Sequence, residues 1–150
     1  MLVAQVALSG PTYPPVPDQA VTQELQAVAN RLGSGNLAPN ATAPSTADVV
    51  ETTRGEALSA SSGDTDNLDP GATVYMVQLQ GTFVGCMAKV PDPTSVTGQG
   101  LVFIFDPASG QLTDWGIEQN PIDLAALGQV SSIAVSLSAV PCTELPPSSA

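Results

Sequence analysis

Apolar residues recur at helical spacing near the start of the chain: Val21, Leu25, Val28 and Leu32 are separated by four, three and four positions. That spacing gathers them on one stripe of an α-helix. Asp18 stands where an N-cap belongs, and Gly33 stands where a left-handed C′ residue ends a helix. From Gly33 to Thr46 the chain is rich in Gly, Pro, Ala, Ser and Asn and reads as a flexible connector. A second helix is predicted from Ser45 or Thr46 to Gly63. Ser45 and Asp48 form a variant capping box, and Val49, Val50, Ala57 and Leu58 supply a weaker stripe. Glu51 and Arg54 then neighbour each other on that helix, a pairing that contributes about 0.2–0.5 kcal/mol.

After the acidic loop Asp64–Gly71 the period changes to two. Tyr75, Val77 and Leu79 alternate with Val74, Met76, Gln78 and Gln80, which predicts a half-buried strand over Thr73–Gln80. Gly81 marks a bulge or bend, and the strand continues from Thr82 to Val90. Pro91-Asp92-Pro93 ends it. Leu101–Phe105 is the most hydrophobic run in the chain and predicts a central strand, covered on both faces or paired on both edges. Asp106-Pro107-Ala108-Ser109-Gly110 has Asp, Pro and Gly where a turn needs them, and Gln111–Trp115 returns as the hairpin partner. Pro121–Leu127 predicts a turn or two of helix, with Pro at the start and Gly128 at the end. Val130–Val140 alternates Ile133, Val135 and Leu137 with Ala134, Ser136 and Ser138, a final half-buried strand.

Segregated helices and strands indicate an α+β domain: one or two N-terminal helices packed on a curved antiparallel sheet of four to five strands. Residues 1–17 form a Pro-rich arm, 18–145 a single domain, and 146–150 a tail carrying Pro146-Pro147. The apolar opening Met1–Leu8 lacks a basic n-region and a full h-region; it reads as the start of a mature chain or the remnant of a trimmed leader. No run of about 20 apolar residues is present, so no transmembrane helix is expected.

Charge narrows the functional classes. Only 11% of residues are charged, against roughly 25% in an ordinary globular protein, so Ser, Thr, Asn and Gln must supply surface polarity. The formal net charge is −11, and Lys89, Arg31 and Arg54 are the only cations. Nucleic acid is therefore excluded as a partner, because phosphate neutralisation needs several Lys or Arg. Histidine is absent. That removes the commonest general base and the commonest transition-metal ligand, and no cofactor is expected.

Cys86 and Cys142 are far apart and form no CxxC, which argues against a redox motif or a zinc site. Two readings stand: a disulfide, as expected of an even pair in an exported chain, or two unrelated buried thiols. A disulfide would close a long loop and contribute roughly 3–4 kcal/mol.

The stretch "VYMVQLQG" followed by "LVFIFDPASGQLTDWGI" resembles PepSY-type modules, in which a helix precedes a strand and a hairpin with the turn pattern D-x-x-[TS]-G-x-[VL]. Asp106, Ser109, Gly110 and Leu112 match that turn. Val49–Trp115 is also similar to uncharacterised exported proteins of high-GC Gram-positive bacteria. These share a "TTR" element (Thr52, Thr53, Arg54), a strand carrying Val74, Tyr75, Val77, Leu79, Gly81 and Phe83, a hairpin with Asp106, Gly110, Asp114 and Gly116, and an "LxxLG" segment at Leu124, Leu127 and Gly128. The resemblance implies a PepSY/cystatin-like fold and a role in the cell envelope, including inhibition of peptidases.

Candidate chemistry is sparse. Asp64, Asp66 and Asp69 suggest a Ca²⁺ loop but lack the Gly and Glu that an EF-hand requires at its sixth and twelfth positions. Asp106, Asp114 and Glu118 lie near one hairpin, where paired carboxylates suit glycoside hydrolysis; a chain with 4% aromatic residues is poorly equipped to line a sugar cleft. Serines lack a His partner and a G-x-S-x-G elbow, and nothing places a serine beside Lys89. Asn40-Ala41-Thr42 is a glycosylation sequon, relevant only on a eukaryotic secretory route. Tyr75, Phe83, Phe103, Phe105 and Trp115 gather on one sheet face, either as core or as a concave face for an apolar or peptide ligand.

The expectation is a non-enzymatic exported module, extracellular or in the cell envelope. It binds a protein or peptide through the sheet or through a sheet edge, with Val130–Val140 as the edge strand. The alternative is a structural or assembly protein, such as a virion or cell-surface component, whose N-terminal arm contacts neighbouring copies.

Overall fold

The computed structural model describes residues 19–61, 69–86 and 97–138. The Pro-rich arm, Asp18, Asp64, Asp66, Lys89, Pro91–Pro93, Cys142 and the tail lie outside the described residues. Among those described, two helices and five strands follow in order: α1 (Gln19–Asn36), β1 (Thr46–Thr53), α2 (Arg54–Ala60), β2 (Thr73–Val84), β3 (Thr97–Asp106), β4 (Gln111–Glu118) and β5 (Val130–Ala134). The strands make one antiparallel sheet in the order β4-β3-β2-β1-β5. The fold is α+β.

The sheet is covered on both faces. On one, Leu25, Ala29 and Leu32 of α1 pack over Val49, Val77, Leu79, Phe83, Leu101, Phe103, Phe105 and Ile133. On the other, Ala57 and Leu58 of α2, with Leu124, pack over Val50, Val74, Met76, Val102 and Ile104. Burying each large apolar side chain contributes roughly 1.5–3 kcal/mol. Double coverage explains why Leu101–Phe105 is a continuous apolar run, as expected of a central strand.

The second helix of the sequence reading is corrected. Its first half is β1, and helix occupies only Arg54–Ala60 before the described residues stop at Ser61. Thr46, Val49, Val50, Thr52 and Thr53 are β-branched and suit a pleated strand. Val49 and Val50 are both buried because they face opposite covered sides, which hides the period-two signal. The helix cap is Thr53, whose Oγ1 accepts from the Glu56 backbone N–H at 3.3 Å, and not Ser45. Glu51 stays exposed on the strand and Arg54 is buried, so the Glu51–Arg54 surface pair gives way to different contacts.

Gly33 does not end α1. A Cβ there would sit 2.8 Å from both Leu137 Cδ atoms and 3.0 Å from Leu79 Cδ1, so the glycine serves close approach of helix to sheet. The helix runs on to Asn36, whose Nδ2 donates to Leu32 O at 2.8 Å. The connector behind it is anchored: Leu37 bridges Phe83, and the Ala38 N–H donates to Thr82 O at 3.0 Å.

The bulge expected at Gly81 is present as a register shift between Gln80 and Phe83. The Asp106 turn also forms as read: its carboxylate accepts from Ala108 N and Ser109 Oγ, Gly110 N donates to Asp106 O, and Gly110 adopts φ 70°. Within Pro121–Leu127 one turn forms, a 3-10 turn at Leu124–Ala126 capped by Asp123. The final strand is shorter than Val130–Val140: it is regular only to Ala134.

Candidate functional site

A five-stranded open sheet has two edges, and each presents backbone N–H and C=O groups that need partners. The two edges here are treated differently. At the β5 side, Val135 N donates inward to Ser45 O at 2.9 Å. Alternation along the strand therefore turns the backbone groups of Ala134, Ser136 and Ser138 outward. α1 meets them. Gln26 Nε2 donates to Ala134 O at 3.0 Å, Asn30 Oδ1 accepts from Ser136 N at 2.8 Å, and Ser34 Oγ accepts from Ser138 N at 3.0 Å. β5 is an edge strand of the sheet, as the sequence led one to expect, and α1 bonds the backbone only at its last residue and just beyond it, at Ala134, Ser136 and Ser138.

The other edge is β4. Among the described residues no strand pairs with its outer side. Gln99 N donates to Gln119 O at 3.3 Å, which sets the parity of the ladder: Trp115 and Ile117 turn their backbone groups toward β3, and Asp114, Gly116 and Glu118 turn theirs outward. The side chains divide by face. Leu112, Trp115 and Ile117 pack against the α1-side core, and Asp114, Gly116 and Glu118 pair with Ile104, Val102 and Gly100 on the α2 side.

α2 delivers one charge to this edge. Arg54 N donates to Ala72 O at 2.9 Å and Gly55 N to Pro70 O at 2.8 Å, which fixes the start of the helix. The Arg54 side chain, 1% exposed, then reaches under the sheet. Its Nη1 donates to Thr113 Oγ1 at 2.9 Å and meets Asp114 Oδ2 at 3.4 Å. Thr113 sits at a register shift opposite Ile104 and Phe105 and donates to Ile104 O at 3.4 Å. A buried guanidinium is tolerated only with such partners. Asp114 keeps about a third of its side chain exposed, at 30%. Sequence reasoning placed Arg54 on a helix surface; nothing in its neighbours signals burial beneath β4.

No family model, curated protein or solved structure matches this chain. The site is therefore read from its own geometry.

Of the five aromatics singled out in the sequence, Phe83, Phe103 and Phe105 are 0–2% exposed within the α1-side core, while Tyr75 and Trp115 are partly buried at its margin. The surface those five offer reduces to Tyr75 and Trp115. Asp106 is occupied by its turn and Asp114 by Arg54, and Asp69 Oδ1 accepts from Gly71 N at 2.9 Å. Among the described residues no group of three or more His, Cys, Asp or Glu gathers to hold a metal ion. An open hollow of about 460 Å³ lies beside Asp48, Gln80, Ile122, Asp123 and Val130. Its two carboxylates already accept local bonds, Asp48 from Ser132 Oγ and Asp123 from Ala125 N. None of the described cysteines is free; the partner proposed for Cys86, Cys142, lies outside the described residues. No described helix is long and apolar enough to cross a membrane.

Proposed function

We propose that this protein is a non-enzymatic, exported, PepSY/cystatin-like module of the cell envelope. It binds an extended segment of another protein by adding it as a strand to the outer edge of β4. The observation that carries the reading is the β4 edge: among the described residues no strand pairs with its outer side, toward which the backbone groups of Asp114 and Gly116 turn. Strand addition takes its affinity from main-chain hydrogen bonds and its specificity from alternate side chains. The absence of histidine from the sequence and the engagement of Asp106 and Asp114 in structural contacts support a binding role over catalysis. A Cys86–Cys142 disulfide belongs to the same reading, since export favours oxidation.

The test is Gly116→Pro. Proline is tolerated on an edge strand where its missing N–H faces outward. Wild type and variant are used to capture envelope proteins, and the captured segment is then titrated against labelled protein. Loss of capture by Gly116→Pro, together with amide shifts at Asp114, Gly116 and Glu118 in wild type, supports the reading. Equal capture by both proteins overturns it.

A further inference from the structure

We infer that residues 2–8 of this chain are the resident occupant of the β4 edge: they add to it as an antiparallel strand and yield it to a partner by exchange. The inference rests on the reading of β4 as an accepting edge. These residues lie outside those described, and their sequence is Leu-Val-Ala-Gln-Val-Ala-Leu, without a charge or a proline. Where they lead is fixed by α1. Gly33 lies against Leu79 and Leu37 bridges Phe83, so α1 runs alongside β2 in the same direction. Its start therefore lies at the end of the sheet where both β2 and β4 begin. Glu24 agrees: its Oε2 would stand 3.7 Å from a Cβ on Gly110, in the turn just before β4. A segment that lies along β4 and then leads into α1 runs opposite to β4, the direction that every neighbouring pair in this sheet already has.

The connecting residues 9–18 have the reach. With Pro at positions 11, 14, 15 and 17, they can extend about 31 Å, against about 27 Å for the whole of β4. Those prolines also keep the connection from joining the sheet itself. Side-chain parity suits the segment. With Leu2, Ala4, Val6 and Leu8 on the α1 side, beside the partly buried Trp115 and Ile117, Gln5 falls opposite Gly116 on the other side. A Cβ built on Gly116 meets no atom within 4 Å, so the one polar side chain of the segment enters open space. Arg54 already pairs Asp114, so the edge asks no cation of its occupant. Charge and tethering favour the chain's own segment over that of a second copy. A second copy brings another net charge of −11, whereas a tethered segment is present at an effective concentration of about millimolar.

The probe is a synthetic peptide of residues 2–8, read by amide shifts and hydrogen exchange of the full chain. The variant is Gln5→Pro, which removes the N–H that faces Gly116 and leaves every described residue in place. With about nine-tenths of the edges occupied in wild type, the peptide is expected to bind the variant about tenfold more tightly, because the tethered copy no longer competes. The Gly116 amide should exchange about tenfold faster in the variant than in wild type. Wild-type protection should be the same from about 10 µM to about 1 mM protein, as an intramolecular contact requires. Equal affinity for wild type and variant, with shifts at Asp114 and Gly116 in both, overturns this inference and leaves the edge reading standing. So does protection that grows with concentration, which assigns the edge to a second copy. If neither this peptide nor one alternating Thr and Val shifts Asp114 or Gly116 of the variant at millimolar concentration, both readings are overturned.

Discussion

Replacing Gln26, Asn30 and Ser34 together by Ala removes the three side chains that bond the backbone at the end of β5 and just beyond it, and nothing from the core. The geometry sets the size of the effect. Four helical residues rise about 6 Å, and two strand residues about 6.7 Å, so side chains four apart on α1 keep step with backbone groups two apart on the strand. The side chains shorten from Gln26 to Asn30 to Ser34 as α1 closes on Leu137 at Gly33. Each bond is exposed, so the low end of the usual net value applies, and three sum to about 1.5–3 kcal/mol. Alanine is a better helix former than all three residues, which returns about 1 kcal/mol. The expected net loss is about 0.5–2 kcal/mol, seen as a fall of roughly 2–6 °C in the thermal midpoint. Amide exchange separates the two contributions. The Ser136 and Ser138 N–H groups should exchange about tenfold faster, because their acceptors are gone while α1 is intrinsically stronger. Light scattering should show concentration-dependent dimers as the exposed edge finds a second copy. Unchanged exchange at Ser136 and Ser138 in a variant whose α1 remains folded would refute the reasoning.

Three further outcomes follow from other contacts. Gly33→Ala, which raises helix propensity by about 1 kcal/mol at an open site, should here lower stability by about 1 kcal/mol in urea unfolding, because its methyl meets Leu137 and Leu79. Gln78, 1% exposed, donates to Ile122 O at 2.8 Å and accepts from Ile122 N at 2.7 Å; Gln78→Ala should cost about 2–3 kcal/mol and speed exchange of the Ile122 amide selectively. Thiol titration of the denatured, unreduced protein should find no reactive thiol; two free thiols after oxidising preparation would remove the Cys86–Cys142 bond and weaken the export proposal.

What could be read from the sequence depended on whether local preference and tertiary environment agreed. β3 was legible because Leu101–Phe105 is apolar at every position and a doubly covered strand needs that. The Asp106 turn was legible because its bonds are local, within four residues. β1 was misread because burial on both sheet faces replaced alternation with the adjacent pair Val49–Val50, and Ala57 and Leu58 beyond it extended a false helical stripe. Gly33 carried the residue type of a helix stop while serving a contact with Leu137, more than a hundred positions away. The edges were harder still. Whether a strand is sealed depends on which polar side chains of α1 point at it, and Gln26, Asn30 and Ser34 look in sequence like ordinary solvated positions. Arg54 gave no sign of burial, since the acceptor from Thr113 lies on a distant strand.

The strand order has a bearing on synthesis. β1 is flanked by β2 and β5, yet Val50 and Val130 are eighty positions apart. A ribosome moving at about 5–20 residues per second needs roughly 4–16 s to make the stretch between them. Throughout that interval one whole side of a β-branched, apolar strand has no neighbour of its own to bond with. A nascent chain in that state is a target for other unfinished copies, and a holdase that masks Val49 and Val50 until the last strand emerges would raise the yield of folded protein more than any gain in final stability.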